Sequence, residues 1–110
     1  MNTVLTSVAD SIGTITLNRA EKRNALSSEL VTSLHEAFLR MSTDESVRVI
    51  VLAGAGSAFC AGADLAYLQR ISQNSPLENL ADSTALKSMF QSIVDCPKPV
   101  IAMVHGAAIA

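Results

Sequence analysis

Between Gly54 and Leu65 the chain reads GAGSAFCAGADL, a run of small residues between an apolar β-branched stretch and a segment with helical spacing. A glycine-rich junction of this kind exposes backbone N–H groups, and the N-terminus of the following helix adds partial positive charge. The chemistry open to it is phosphate binding, or stabilisation of an oxyanion that develops during a reaction. A tight turn whose small residues only permit close packing is the competing reading. A dinucleotide fingerprint needs G-x-G-x-x-G. Gly54 and Gly56 fit, but Phe59 stands at the third position, so a strand-loop-helix nucleotide binder is disfavoured. No Gly-Lys-Ser/Thr triplet occurs, which excludes a P-loop.

Other reactive side chains offer less. Lys22 and Arg23 fall in a charged stretch, Arg19 to Asn24, that reads as a solvated turn or an anion contact. Cys60 lies between Phe59 and Ala61 with no helix starting at it, the setting of a small core residue rather than an activated thiol. Cys96, before Pro97, is structural. The two cysteines with His35 and His105 show no zinc-ligand spacing. His105 follows an apolar strand and reads as a hydrogen-bonded structural residue. Glu21, Glu29, Glu36 and Glu45 are expected to be solvated, Asp64 to cap a helix, and Asp82 to be a first-turn charge.

The elements that would position these residues follow from periodicity. Thr3–Val8 and Gly13–Asn18 alternate apolar and small polar residues about a turn at Asp10 to Gly13, which predicts two antiparallel strands. Ser27 or Ser28 is a candidate N-cap, with Glu29 in the first turn. Leu30, Leu34, Ala37, Phe38 and Met41 then mark one face of a helix of about four turns. Val47–Ala53 reads as a strand covered on both faces. A second helix runs from Asp64 to about Gln73 and breaks at Asn74 to Pro76. A third, Leu80–Asp95, carries the stripe Leu86, Met89, Phe90, Ile93, Val94. The methionines, Phe38 and Phe90 are assigned to the core, and Pro99–Val104 to another buried strand. The order β-β-α-β-α-α-β is α/β, with helices over a mainly parallel sheet.

Composition narrows the function classes. The chain has 110 residues, with 8 Lys+Arg against 10 Asp+Glu and a net charge of −2. That balance suggests no nucleic-acid surface. Only 16% of residues are charged while 49% are hydrophobic, so disorder is excluded and packing against further protein is expected. No run reaches the ~18 to 20 apolar residues of a membrane span. The first basic residue is Arg19, so no secretory or transit signal is read, and a cytoplasmic location is expected.

Three segments together carry a resemblance: LNRAEKRNAL at Leu17–Leu26, AFCAGADL at Ala58–Leu65 and KPVIAMVHG at Lys98–Gly106. In this order and spacing they resemble the crotonase family of enoyl-CoA hydratases and isomerases. The text from AFCAGADL through ENLADST is similar to hydratases of branched or dicarboxylic enoyl-CoA such as methylglutaconyl-CoA hydratase. The resemblance implies a crotonase-type spiral of β-β-α units. Residues 1–110 would form an incomplete domain, its amino-terminal portion, truncated at the carboxyl end. It also implies an acyl-CoA thioester partner, trimers or hexamers of the full-length protein, no nucleic-acid or membrane partner, and no cofactor or metal, coenzyme A being part of the substrate.

By the same resemblance, the backbone N–H of Ala63 is one of two donors to the thioester oxygen. Lys22, Arg23, Ala25, Ala61, Ala63, Asp64, Leu65 and Ala66 would contact substrate or coenzyme A. The second donor belongs to a residue pair of which Ala110 is the first, so the donor itself is expected just after Ala110 and outside this chain, and two water-activating glutamates lie later in family chains. Ala20, where many relatives carry proline, is a mild departure. The implied activity of the parent protein is hydration of an enoyl-CoA 2,3-double bond, with this chain alone inactive. A crotonase-type isomerase and a non-catalytic acyl-CoA-binding or assembly module are the alternatives.

Overall fold

The computed structural model describes residues 2–109. Strands β1 (Val4–Ala9) and β2 (Ile12–Leu17) form an antiparallel hairpin. Asp10 and Ser11 both take positive φ, 52° and 65°, the conformation that lets a two-residue turn follow the right-handed strand twist. Gly13, expected where the turn meets the second strand, lies within β2, and a side chain there would run into the Met41 sulfur. Strand β3 (Val49–Gly54) pairs in parallel with β2, and β4 (Val100–Ala102) in parallel with β3, giving the order β1-β2-β3-β4.

Helix α1 (Ser28–Thr43) starts where the Ser27 hydroxyl accepts the Leu30 N–H at 3.2 Å. It lays Leu30, Val31, Leu34, Ala37, Phe38 and Met41 against Ile15 and Leu17 of β2 and Ile50 of β3. Its C-terminal end is held by the Lys98 ammonium, which donates to the carbonyls of Met41 and Asp44 at 2.6 Å each, a favourable place for a cation.

Helix α2 (Leu65–Gln73) is followed directly by α3 (Pro76–Val94), which packs on α1. The third helix therefore starts a turn earlier than its apolar stripe indicates. Pro76 sits in its first turn, where a missing N–H costs nothing. Ser75 and Glu78 form a reciprocal capping box, with the Ser75 N–H donating to Glu78 Oε1 at 3.0 Å and the Glu78 N–H to Ser75 Oγ at 3.2 Å. The backbone and hydroxyl bonds from Ser75 hold the Glu78 carboxyl below its ordinary pKa. A lowered native pKa means that this stabilisation is present above the unfolded-state value and is lost as pH falls through the native one. Acidification below the ordinary carboxylate range should fray the start of α3, seen as loss of Ser75 amide protection by NMR, and Glu78→Gln should flatten that dependence.

Three burial expectations are corrected. On α3 only Met89 is fully buried; Leu86 and Ile93 pack partly on the core, while Phe90 is 49% and Val94 76% exposed. Met103 is likewise exposed rather than core. In β3 only Ile50 is buried, and Ile101 of β4 is 55% exposed. Among the described residues α1 covers one face of the sheet and no second layer covers the other, so both strands keep an open side. Pro99 and Met103–Val104 fall outside β4, although the Pro99 carbonyl still accepts the Ile50 N–H and the Met103 N–H donates to the Leu52 carbonyl; further on, the His105 carbonyl accepts the Phe59 N–H of the loop beyond β3. No described helix is long and apolar enough to cross a membrane.

Candidate active site

The site is built on two loops held together by one buried amide. After β2 the chain makes a 3-10 turn, Ala20–Lys22, and then two residues with positive φ, Arg23 (54°) and Asn24 (57°). Asn24 has no solvent exposure. Its side-chain carbonyl accepts the Arg19 N–H at 2.8 Å. Its amide group donates to the carbonyls of Ala55 and Ala58 at 2.9 and 3.0 Å. The charged loop is thereby fastened to the glycine-rich loop after β3, and every polar atom of a costly buried side chain is partnered.

Leu26 forms a parallel bridge with Ala63: its N–H donates to the Gly62 carbonyl at 2.6 Å, and its carbonyl accepts the Asp64 N–H at 2.9 Å. In such a bridge both bonds go to the residues flanking the central one, so the N–H of Ala63 itself points away from Leu26. It makes no hydrogen bond among the described residues, and Ala63 is exposed. Gly62 at φ +89° reverses the chain just before it, a conformation that a side chain would strain. Asp64, 8% exposed, caps α2 by accepting the Tyr67 N–H at 3.3 Å, so the free N–H lies at the positive end of that helix.

Ala63 lies between two cavities. One is a cleft of about 390 Å³, lined by Lys22, Ala25, Ala61, Asp64, Leu65 and Ala66 with Ala63 itself. Seven of the eight expected contact residues thus converge on one cleft. Arg23 does not: it closes the 3-10 turn, and its carbonyl accepts the Ala61 N–H at 3.0 Å. Arg19, expected only as part of a solvated loop, does line the cleft. Its guanidinium reaches the Ala25 carbonyl at 2.9 Å and Asp64 at 3.5 Å, with both charged side chains largely shielded. Asp64 being balanced by Arg19, Lys22 is left as the cleft's uncompensated cation.

The second cavity, about 140 Å³, is lined by Leu26, Val31, Ala63, Tyr67, Asp82 and Leu86 among others. Sequence periodicity does not reveal it, because its walls come from α1, α2 and α3 together. Asp82 is corrected here: with α3 beginning at Pro76 it lies in the second turn and faces this cavity rather than serving as first-turn charge. Burial raises the Tyr67 phenol above its ordinary pKa and the Asp82 charge adds to this, while Arg70, 5.5 Å over the ring, opposes it.

The remaining candidates are structural in placement. Cys60 bridges Ala108: its N–H donates to the Ala107 carbonyl at 3.1 Å, and its carbonyl accepts the Ile109 N–H at 2.9 Å. His105 Nε2 donates to the Gly56 carbonyl at 2.7 Å. The segment expected to lead up to the second oxyanion donor is thus drawn alongside the loop that holds Ala63. Ala110 lies outside the described residues.

The geometry matches a known family. The enoyl-CoA hydratase/isomerase family profile covers residues 7–110. A Thermus thermophilus protein provisionally named enoyl-CoA hydratase is 41% identical over 90% of this chain and 39% of its own length. The 1,2-epoxyphenylacetyl-CoA isomerase of Escherichia coli is 33% identical over 98% of the chain and 42% of its own length. A crystal structure of a Legionella pneumophila protein, provisionally named enoyl-CoA hydratase/isomerase (crotonase), superposes with a TM-score of 0.95 at 41% identity, covering 98% of this chain and 42% of that one. The chain therefore spans about two fifths of the length of the relatives it matches. Its four-stranded sheet and covering helices are the amino-terminal portion of the crotonase-type α/β fold, and the chain belongs to the enoyl-CoA hydratase/isomerase family.

Proposed function

We propose that this segment binds an acyl-CoA thioester, with coenzyme A in the larger cleft, the thioester oxygen on the Ala63 N–H and the acyl group in the smaller cavity. The observation that carries this reading is the Ala63 N–H, without a hydrogen-bond partner among the described residues, at a helix N-terminus on the boundary of both cavities. Lys22 is the cation available to the coenzyme A phosphates. The whole protein would hydrate an enoyl-CoA, in fatty-acid or branched-chain amino-acid breakdown, as a cytoplasmic trimer or hexamer. A base takes one proton from water as its oxygen bonds to C3, the double-bond electrons move onto the thioester as an enolate, and a proton then bonds to C2. The negative charge grows on the oxygen at Ala63, where one fixed donor contributes roughly 2.7 to 4 kcal/mol to the transition state. The second donor and the groups that activate water are assigned by family resemblance to residues that follow Ala110 in family chains.

Isomerisation of an enoyl-CoA is the second reading, favoured by the isomerases among the relatives. It shares the enolate but adds no water: a base removes a proton from one carbon and a proton returns to another as the double bond shifts. A non-catalytic binding module would keep the cleft alone. The 110-residue chain should bind crotonyl-CoA in a calorimetric titration and show no measurable loss of the conjugated-enoyl absorbance. Absence of binding would overturn the site. Turnover at ordinary enzyme rates, abolished by Ala63→Pro, would overturn the assignment of the remaining machinery to other residues.

A further inference from the structure

The smaller cavity differs in character from the cleft. At about 140 Å³ it approaches the ~150 Å³ cavity known to hold one benzene molecule. Val31 of α1 and Leu86 of α3 form part of its apolar wall, and both belong to or pack on the core, so that wall does not yield easily. Its charged side chain is the Asp82 carboxylate, and no Lys, Arg or His is among the described residues lining it. Neither the Tyr67 hydroxyl nor the Asp82 carboxylate has a hydrogen-bond partner among the described residues. Arg70 lies beside the cavity without lining it, its guanidinium taken up by two lining residues: Nη2 donates to Ser28 Oγ at 2.6 Å, and the group stacks 5.5 Å over the Tyr67 ring.

We propose that this cavity sets the acyl specificity of the site, with Leu86 limiting length and Asp82 excluding acyl groups that end in a carboxylate. This rests on the acyl-CoA reading above and adds the substrate class: compact, uncharged acyl groups of up to roughly six heavy atoms beyond the thioester carbonyl. The size limit follows because a longer chain must displace a core-packed leucine. The charge rule follows because a terminal carboxylate would lose its water beside a like charge with no lining cation to receive it. The resemblance to hydratases of dicarboxylic enoyl-CoA is therefore not carried into this pocket.

The chain has one tyrosine and no tryptophan, so its tyrosine emission reports on this cavity alone. Calorimetry and absorbance-corrected tyrosine fluorescence should be run with free coenzyme A, butyryl-CoA, hexanoyl-CoA, dodecanoyl-CoA and glutaryl-CoA. Butyryl-CoA and hexanoyl-CoA should bind at least about tenfold more tightly than coenzyme A and change the Tyr67 emission. Dodecanoyl-CoA and glutaryl-CoA should bind no better than coenzyme A and leave the emission unchanged. Leu86→Ala should admit dodecanoyl-CoA, and Asp82→Asn, at a partly buried position, should admit glutaryl-CoA. Equal affinity for all four thioesters overturns the proposal, as does unchanged discrimination in both variants. If coenzyme A itself does not bind, the acyl-CoA reading falls and takes this proposal with it; if it binds and the acyl groups are indifferent, only this proposal falls.

Discussion

Asn24→Ala should lower the stability of the chain by about 3 kcal/mol and weaken coenzyme A binding along with it. The substitution removes the donor to two carbonyls, Ala55 and Ala58, and the acceptor for the Arg19 N–H, at a position with no solvent exposure. Each buried polar group left without a partner costs roughly 1 to 3 kcal/mol. Alanine must also adopt φ near +57°, which asparagine tolerates better. Asn24→Gly separates the two causes, since glycine accepts that φ and makes none of the side-chain bonds. Urea denaturation should rank wild type well above both variants, with glycine only slightly above alanine. If glycine recovers most of the loss, backbone strain and not the amide's hydrogen bonds holds the two loops together.

Phe38→Ala should cost about 3 to 5 kcal/mol, the range for deleting a buried aromatic side chain whose surroundings close only partly. Phe38 is fully buried in the cluster that joins α1 to Ile15, Ile50 and Met89. Its loss opens the layer that fixes the sheet beneath α1. The denaturation midpoint should fall with the slope unchanged. Phe90→Ala, by contrast, should change stability far less, because Phe90 is half exposed. Equal effects at the two positions would mean that the α3 stripe is buried more evenly than its exposures indicate.

That contrast marks how far periodicity reaches. Phe38 and Phe90 both sit on regular helical stripes and are indistinguishable by spacing. What separates them is whether another layer lies opposite, which the local pattern does not contain. The start of α3 shows a different gap. A start at Leu80, read from the apolar stripe that follows, places the helix too late, although Ser75, Pro76 and Glu78 already spell a capped start. The hydroxyl, the ring and the carboxylate carry that signal, and an apolar period is blind to all three.

At the site, the short segment Ala61–Ala66 and its Asp64 cap were legible because a strand-to-helix junction is a local object whose glycine and capping residues lie within a few positions of one another. Arg23 is not among the residues that line the cleft with Lys22, because adjacent side chains in a tight turn point different ways and Arg23 takes a left-handed φ of 54°. Asn24 was missed altogether. Its partners lie 31 and 34 residues away, and nothing within the loop distinguishes a buried asparagine from a solvated one.

The sequence by itself determined the order of elements, the hairpin, the helix faces and the family-bearing loops, since these depend on contacts between near neighbours along the chain. Only the tertiary structure decided which apolar faces are covered, that Ala63 stands between a cleft and a compact cavity, and that Tyr67, Asp82 and Leu86 share its wall. Those facts depend on where separate elements meet. That meeting is governed by the volume and hydrogen-bond partners that distant segments bring to one place, and no local period records them.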